Sequence, residues 1–197
     1  MRFAATVGGF TMLSRVLGFV RDILIALFLG ASAVGDAFFI SFKLPNLFRR
    51  LFAEGAFNLA FVPLFTESLT AHGRVTAKAF AEDVLSVLLW VLLLVVVLAQ
   101  IAMPWLMLLI APGFSDDPVK FDLTVYLARL TFPYLLFISL VSLLSGVLNS
   151  LDRFAAAAAA PVLLNICLIG SLLAFARAGQ TPAHALAWGV AAAGILQ

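Results

Sequence analysis

Residues 84–115 read VLSVLLWVLLLVVVLAQIAMPWLMLLIAPGFS, a run of 32 residues without a charged side chain. At about 1.5 Å of rise per helical residue, such a run exceeds the length needed to cross a hydrocarbon core of about 30 Å. Three further charge-free runs follow at residues 130–151, 154–176 and 178–197. Charged residues make up only 11% of the chain, against roughly 25% in soluble domains. The sequence therefore predicts an all-α integral membrane protein.

The hydrophobic segments predict a bundle of about six transmembrane helices. We place them at residues 5–30, 34–67, 80–110, 121–149, 156–177 and 183–197. The second is too long for one upright span and contains Pro45, Gly55 and Pro63, so we expect it to be kinked. Only 15 residues follow Pro182, fewer than the roughly 17 that a span needs. We therefore expect a truncated sixth helix, and residues 1–197 to form one lobe of a longer protein.

The basic residues of the loops predict how the bundle is oriented. Cytoplasmic loops of membrane proteins carry an excess of lysine and arginine. If the N-terminus is cytoplasmic, four basic residues fall on the cytoplasmic side and two on the opposite side: Arg2, Arg74, Lys78 and Arg153 against Lys120 and Arg177. The sequence thus favours a cytoplasmic N-terminus.

Eight ionisable residues interrupt the first two hydrophobic segments: Arg15, Arg21, Asp22, Asp36, Lys43, Arg49, Arg50 and Glu54. Each costs about 2.5–3.5 kcal/mol at the centre of a bilayer, which favours a water-filled, ligand-facing cavity over contact with lipid. The five cations exceed the three acids, and the surplus favours an anionic ligand. Because arginine donates paired hydrogen bonds in a planar fork and stays charged, a diphosphate suits such a cavity best.

Spacing along the second segment places several of these charges on one helix face. Asp36, Lys43 and Arg50 recur at intervals of seven residues, and Glu54 returns to the azimuth of Asp36. Asp36 and Lys43 are then either mutual partners or gate residues that exchange partners. The alternative for the whole cluster is a set of structural ion pairs, with Arg49 and Arg50 extending to the cytoplasmic membrane boundary.

Other functional classes find no support in the sequence. The net charge is only +2 and most basic residues lie within or beside spans, so we expect no nucleic-acid partner. The single cysteine, Cys167, excludes a disulfide within the chain. The sequence contains no HExxH, GxSxG or glycine-rich phosphate loop and no paired cysteines. We therefore expect no catalytic residues, no metal site, no cofactor and no enzymatic activity.

Three stretches near the N-terminus resemble a known family. They are SRVLGFVRD at residues 14–22, DAFF at 36–39 and KLPNLFRRLFAEGAF at 43–57. Together they resemble the start of the MurJ (MviN) lipid II flippases, members of the multidrug/oligosaccharidyl-lipid/polysaccharide exporter superfamily. Shorter matches at residues 111–114, 132–134 and 148–154 extend the resemblance along the chain.

The resemblance implies a bacterial inner-membrane protein that moves lipid II, the undecaprenyl-diphosphate-linked peptidoglycan precursor, from the cytoplasmic to the periplasmic leaflet. Members of the family have two six-helix lobes around a cationic cavity, and this chain resembles the first lobe, so we expect the second lobe as a partner. The driving force we expect is the membrane potential, worth about 2.3 kcal/mol per charge per 100 mV. A flippase for another polyprenyl-diphosphate glycan, or a non-transporting membrane scaffold for cell-wall synthesis, remains an alternative.

By the same resemblance, the cavity arginines of the family fall on Arg15, Arg21 and Arg49, and a further functional acid falls on Asp36. The predicted substrate-binding residues are Arg15, Arg21, Arg49, Ser14 and Asn46. The predicted gating or orienting residues are Asp22, Asp36, Lys43, Arg50 and Glu54. Like-charge repulsion makes Asp22 and Glu54 better suited to orienting the arginines than to contacting an anionic ligand.

Overall fold

The computed structural model describes the backbone of residues 2–52, 56–176 and 181–197, and the side chains of residues 6–48, 59–175 and 181–197. Within these ranges the chain forms seven α-helices and no strand. The helices are α1 (Arg2–Leu29), α2 (Ala33–Phe52), α3 (Ala56–Ile110), α4 (Pro118–Thr131), α5 (Tyr134–Ser150), α6 (Phe154–Ala176) and α7 (Pro182–Leu196). A short 3₁₀ turn, Pro112–Phe114, precedes α4.

Helix α3 folds back on itself at Gly73. This residue has φ 82° and ψ 176°, a conformation essentially restricted to glycine. The rings of Phe61 and Phe80 stack with centroids 5.9 Å apart, whereas 19 residues of straight helix would separate them by about 28 Å. The two arms, residues 56–72 and 74–110, therefore lie side by side. The turn lies within the predicted connection between residues 67 and 80, but the predicted helix ends are wrong, because both helices continue up to Gly73.

Two other predicted helices correspond to two elements each. Residues 34–67 correspond to α2 and part of the first arm of α3, and residues 53–55 between them, with Gly55, lie outside the described residues. Pro45 and Pro63 lie inside helices α2 and α3. The predicted helix over residues 121–149 is interrupted at Phe132 and Pro133, because proline has no N–H to continue the helical hydrogen bonding. Helices α4 and α5 meet there, and both residues keep right-handed helical dihedrals, so Pro118–Ser150 remains one helical stretch.

The second arm of α3 separates a lipid-facing stripe from a buried one. Its exposed large side chains recur at helical spacing: Trp90, Leu94, Leu98, Ile101, Trp105 and Leu109. On the opposite face Leu92, Met103 and Met107 are fully buried. An exposed apolar stripe of this length is typical of a helix that contacts acyl chains.

Two hydrophobic clusters hold the bundle together. The first joins α2, α3, α4 and α5, and includes Phe65, Leu92 and Phe132. The second joins α1, α6 and α7 to α2, α4 and α5, and includes Leu172 and Leu186. Because α2, α4 and α5 contribute to both clusters, these three helices connect the two halves of the bundle.

Three helical stretches are long and apolar enough to cross a membrane: Leu59–Ile110, Pro118–Ser150 and Phe154–Phe175. A shorter apolar helix covers Pro182–Leu196. Helices α1 and α2, which contain the charged cluster, are not among these stretches. The helical content and these spans confirm the predicted all-α membrane fold.

The two ends of the bundle differ in charge. Thr6, near the start of α1, lines a cleft together with Arg153, and Arg153 lines a second cleft with Arg74 and Lys78. These residues define the basic end. The opposite end contains the turn between α1 and α2 and the segment before α4, with the carboxylates Asp116, Asp117 and Asp122. We call it the acidic end.

Candidate functional site

Arg15 lies on α1 beside an open cavity of about 490 Å³. The cavity lies between α1, the end of α5 and the first turns of α6. Its other lining residues are Val7, Thr11, Ser14, Asn149, Phe154, Ala157, Ala158 and Pro161. The alanines of α6 have small side chains, which leaves the space open. Arg15 is exposed and forms no hydrogen bond or ion pair with any described side chain, so its guanidinium is available to a ligand.

Arg21, two turns further along α1, is held by two partners. Its Nε and Nη2 atoms donate to Oδ1 of Asp22 at 2.9 and 2.7 Å. Its Nη1 donates to Oδ1 of Asn165 on α6 at 2.8 Å. The Arg21 side chain is 26% exposed and that of Asp22 is 64% exposed. Asp22 therefore neutralises and orients Arg21, the geometry expected for an orienting acid.

Asn165 connects Arg21 to the Arg15 cavity. Its Nδ2 atom donates to the backbone carbonyl of Ser14 at 3.0 Å and contacts the Ser14 hydroxyl at 3.5 Å. Ser14 also lines the Arg15 cavity. Asn165 is only 4% exposed, and it is not among the site residues that the sequence predicts. The sequence signal for this residue is a single amide within an apolar run, because such amides form hydrogen bonds between helices.

Asp36 pairs with a residue that the sequence did not suggest. Its Oδ2 atom lies 2.8 Å from Nζ of Lys120, the second residue after the first proline of α4. Lys120 also lies 4.0 Å above the ring of Phe114. The proposed pairing of Asp36 with Lys43 is therefore wrong in this structure. The two residues share a face of α2, but seven residues separate them by about 10.5 Å along the axis, beyond the reach of neighbouring side chains.

The pairings decide where the surplus positive charge lies among the described side chains. Arg21 is matched by Asp22 and Lys120 is matched by Asp36. Arg15 and Lys43 remain without an ionic partner among the described residues, and both are exposed. The surplus that the sequence predicted is thus present on α1 and α2 in the described part of the chain.

The other predicted site residues are not all brought together. Asn46 is exposed on α2 and is not among the residues that line the Arg15 cavity. The side chains of Arg49 and Arg50 and the whole of Glu54 lie outside the described residues. In the described ranges, no three histidine, cysteine or carboxylate side chains come close enough to hold a metal ion.

Comparison with known proteins identifies the family. The family model for the lipid II flippase MurJ matches residues 25–197. A probable lipid II flippase MurJ of Rhizobium tropici is 52% identical over 196 residues, which cover 98% of this chain and 37% of the relative. The lipid II flippase MurJ of Burkholderia cenocepacia is 44% identical, with 100% of this chain and 38% of the relative covered.

A solved structure, the lipid II flippase MurJ in an inward closed conformation, has a TM-score of 0.77 and 26% identity. The match covers 96% of this chain and 40% of that one. The chain thus spans little more than a third of the length of these curated relatives. Together with the apolar helices, the matches make it a multi-pass membrane protein, and the chain belongs to the lipid II flippase MurJ family.

Proposed function

We propose that this chain is the first lobe of a lipid II flippase. The complete transporter moves the undecaprenyl-diphosphate-linked disaccharide-peptide from the cytoplasmic to the periplasmic leaflet by alternating access. Membership of the family supports this substrate. The observation that carries the proposal in this chain is the Arg15 cavity, which presents a guanidinium without a described carboxylate partner. The role is transport, without a catalytic step and without a metal or cofactor.

Arg15 and Arg21 have different parts in this proposal. Arg15 donates paired hydrogen bonds to the diphosphate and replaces the water that the lipid headgroup loses in the cavity. Arg21 is already oriented by Asp22 and Asn165, so it adds positive potential from a fixed position. Lys43, exposed on α2, extends the positive surface, and Ser14 offers its hydroxyl in the same cavity as Arg15.

The surface of α1 supports a partner lobe. Its exposed apolar side chains form a stripe at helical spacing: Met12, Val16, Phe19, Ile23 and Leu27. Arg15 and Asp22 lie beside that stripe and are also exposed. Charged groups at bilayer depth are costly against acyl chains, so this face is better suited to a protein-lined, hydrated cavity. A second lobe that alternates against the first would enclose it.

Localisation and driving force follow from the charge of the two ends. The basic end contains Arg74, Lys78 and Arg153, and the positive-inside rule favours its placement in the cytoplasm. The N-terminal part of α1 lies at the same end. The charge supports a cytoplasmic N-terminus, and membership of the family supports the bacterial inner membrane. An inside-negative potential favours outward movement of the anionic lipid and return of the cationic empty cavity.

Complementation of cells depleted of their flippase tests the proposal. We expect Arg15→Ala, Arg21→Ala and Arg49→Ala in the protein expressed at its full encoded length to abolish or strongly reduce growth. Arg15→Lys should rescue poorly if bidentate geometry matters. Arg129→Ala removes an exposed arginine that does not line the cavity and serves as the control.

An accessibility assay for lipid II in the outer leaflet separates the alternatives. Failed growth with unchanged lipid II exposure would indicate a scaffold rather than a transporter. Restored exposure of a different polyprenyl-diphosphate glycan, without that of lipid II, would indicate another substrate. Normal growth of all three alanine variants would reject the role of the arginines in binding the diphosphate.

A further inference from the structure

A second cleft, which shares no lining residue with the Arg15 cavity, lies at the basic end between α3 and α5. Its volume is about 600 Å³, within the range of about 300–1,000 Å³ that is usual for ligand sites. The fold of α3 at Gly73 creates it, because Leu69 before the turn and Leu85 after it line the same space. Leu144 and Val147 of α5 form another wall.

Basic side chains from two different elements line this apolar cleft. Arg74 directly follows the turn of α3, and Arg153 lies in the turn between α5 and α6. Lys78 is also in the lining, but Glu82 lies 3.5 Å from its Nζ atom and offsets its charge. Arg74 and Arg153 are exposed and have no ionic partner among the described residues. The cleft therefore keeps two positive charges beside apolar walls.

We propose that this cleft binds an anionic phospholipid. The phosphate lies between Arg74 and Arg153, and one acyl chain lies against Leu85, Leu144 and Val147. Basic pockets between helices at the membrane surface are suited to anionic headgroups, and arginine pairs well with phosphate oxygens. The apolar walls favour a lipid over a soluble phosphate, which would leave them in contact with water. The inference is independent of the transported substrate.

Lipid retention during purification tests the site. The protein, expressed at its full encoded length, is reconstituted with equal amounts of phosphatidylglycerol and phosphatidylethanolamine, extracted in detergent and washed, and the retained lipids are counted by mass spectrometry. We expect several-fold enrichment of phosphatidylglycerol, and loss of most of that enrichment in Arg74→Gln and in Arg153→Gln. Arg129→Gln removes one exposed charge outside the cleft, and should leave the enrichment unchanged.

Further variants examine the apolar half of the site. Leu144 is 50% exposed, so Leu144→Trp should fill the cleft without disturbing the core, and size-exclusion chromatography checks that the variant is monodisperse. We expect it to lose phosphatidylglycerol although every charge is kept. Unchanged enrichment of phosphatidylglycerol in Leu144→Trp would overturn the site. An equal loss of enrichment in Arg129→Gln would also overturn it, because it would indicate diffuse electrostatic attraction. Displacement of the lipid by soluble glycerol 1-phosphate would instead indicate a site for small phosphates.

Discussion

Asn165 is the residue that fixes α1 against α6 at the candidate site. Its amide accepts a hydrogen bond from Arg21 and donates one to the carbonyl of Ser14. The arginine that the sequence singled out is therefore positioned by a neutral residue 144 positions away. Gly18 lies opposite, where an added Cβ would be 3.7 Å from Nδ2 of Asn165. Close approach of the two helices makes these hydrogen bonds possible.

We expect Asn165→Ala to lower the free energy of unfolding by about 1 kcal/mol, because it removes both hydrogen bonds at a nearly buried position. Asn165→Asp keeps an acceptor for Arg21 but sets a carboxylate oxygen against the carbonyl of Ser14 at a nearly buried position, so we expect it to be destabilising as well. Unfolding of the purified protein by graded detergent denaturation measures both. Equal stability of Asn165→Ala and wild type would contradict a structural role for this amide.

The pair of Asp36 and Lys120 connects the start of α2 to the start of α4 at the acidic end. Asp36 is 58% exposed, whereas Lys120 is only 18% exposed. Solvent screening of the carboxylate keeps the ion pair weak, about 0.2–1 kcal/mol. The ion pair fixes the position of α2 relative to α4. Lys120 is therefore a candidate partner for Asp36 in any gating step.

A double-mutant cycle measures this pair. We expect Asp36→Asn and Lys120→Met each to destabilise slightly, and the double variant to show a coupling free energy of about 0.5 kcal/mol. High salt should reduce the coupling. The same variants assayed for growth complementation show whether the pair matters for function. Additive effects on the free energy of unfolding would mean that the contact contributes nothing.

At the scale of elements, a close helix contact joins α6 and α7. A Cβ added at Gly189 of α7 would overlap the Ser171 hydroxyl, lie 3.0 Å from the Ser171 Cβ and lie 3.3 Å from the carbonyl oxygen of Cys167. Small residues at such interfaces let the helix backbones approach closely. The contact adds to the packing of α7, whose Leu186 and Val190 are buried in the second hydrophobic cluster.

We expect Gly189→Ala to destabilise the protein by about 1–3 kcal/mol through overpacking. Ser171→Gly removes the side chain that the added Cβ would overlap, so the double variant should be more stable than Gly189→Ala alone. Gly170→Ala, on α6 where an added Cβ meets nothing within 4 Å, is the matched control. Thermal unfolding in detergent measures all four. If Ser171→Gly does not restore the stability of Gly189→Ala, the destabilisation does not come from overlap with the Ser171 side chain.

At the scale of the whole molecule, the charge difference between the two ends predicts the orientation in the membrane. His72 is exposed at the basic end and Ser115 is exposed at the acidic end. The chain has one cysteine, Cys167, so a Cys167→Ala background permits single-cysteine labelling. We expect a membrane-impermeant maleimide to label Ser115→Cys in intact cells, and His72→Cys only after lysis. The reverse pattern would place the N-terminus in the periplasm.

Several features of this protein are predictable from the sequence because they depend on local composition. Charge-free runs such as residues 84–115 suffice for the membrane class, since length and hydropathy alone decide whether a helix can span. The charged cluster pointed to α1, which contributes Ser14 and Arg15 to the cavity, whereas no described residue of α2 lines it. The motif at residues 43–57 identified the family. Each of these depends on residues that are close together in the chain.

Only the tertiary structure decided which charges pair and how far the helices extend. Lys120 reaches Asp36 across 84 positions, and Asn165 reaches Arg21 across 144. Helical periodicity places residues on a face but does not say which element packs against that face. The turn at Gly73 lies where the sequence predicts a connection, but only the packing of Phe61 against Phe80 shows that both helices run up to it. The sequence thus determined the kind of protein and the residues of interest, and packing over long separations determined their partners.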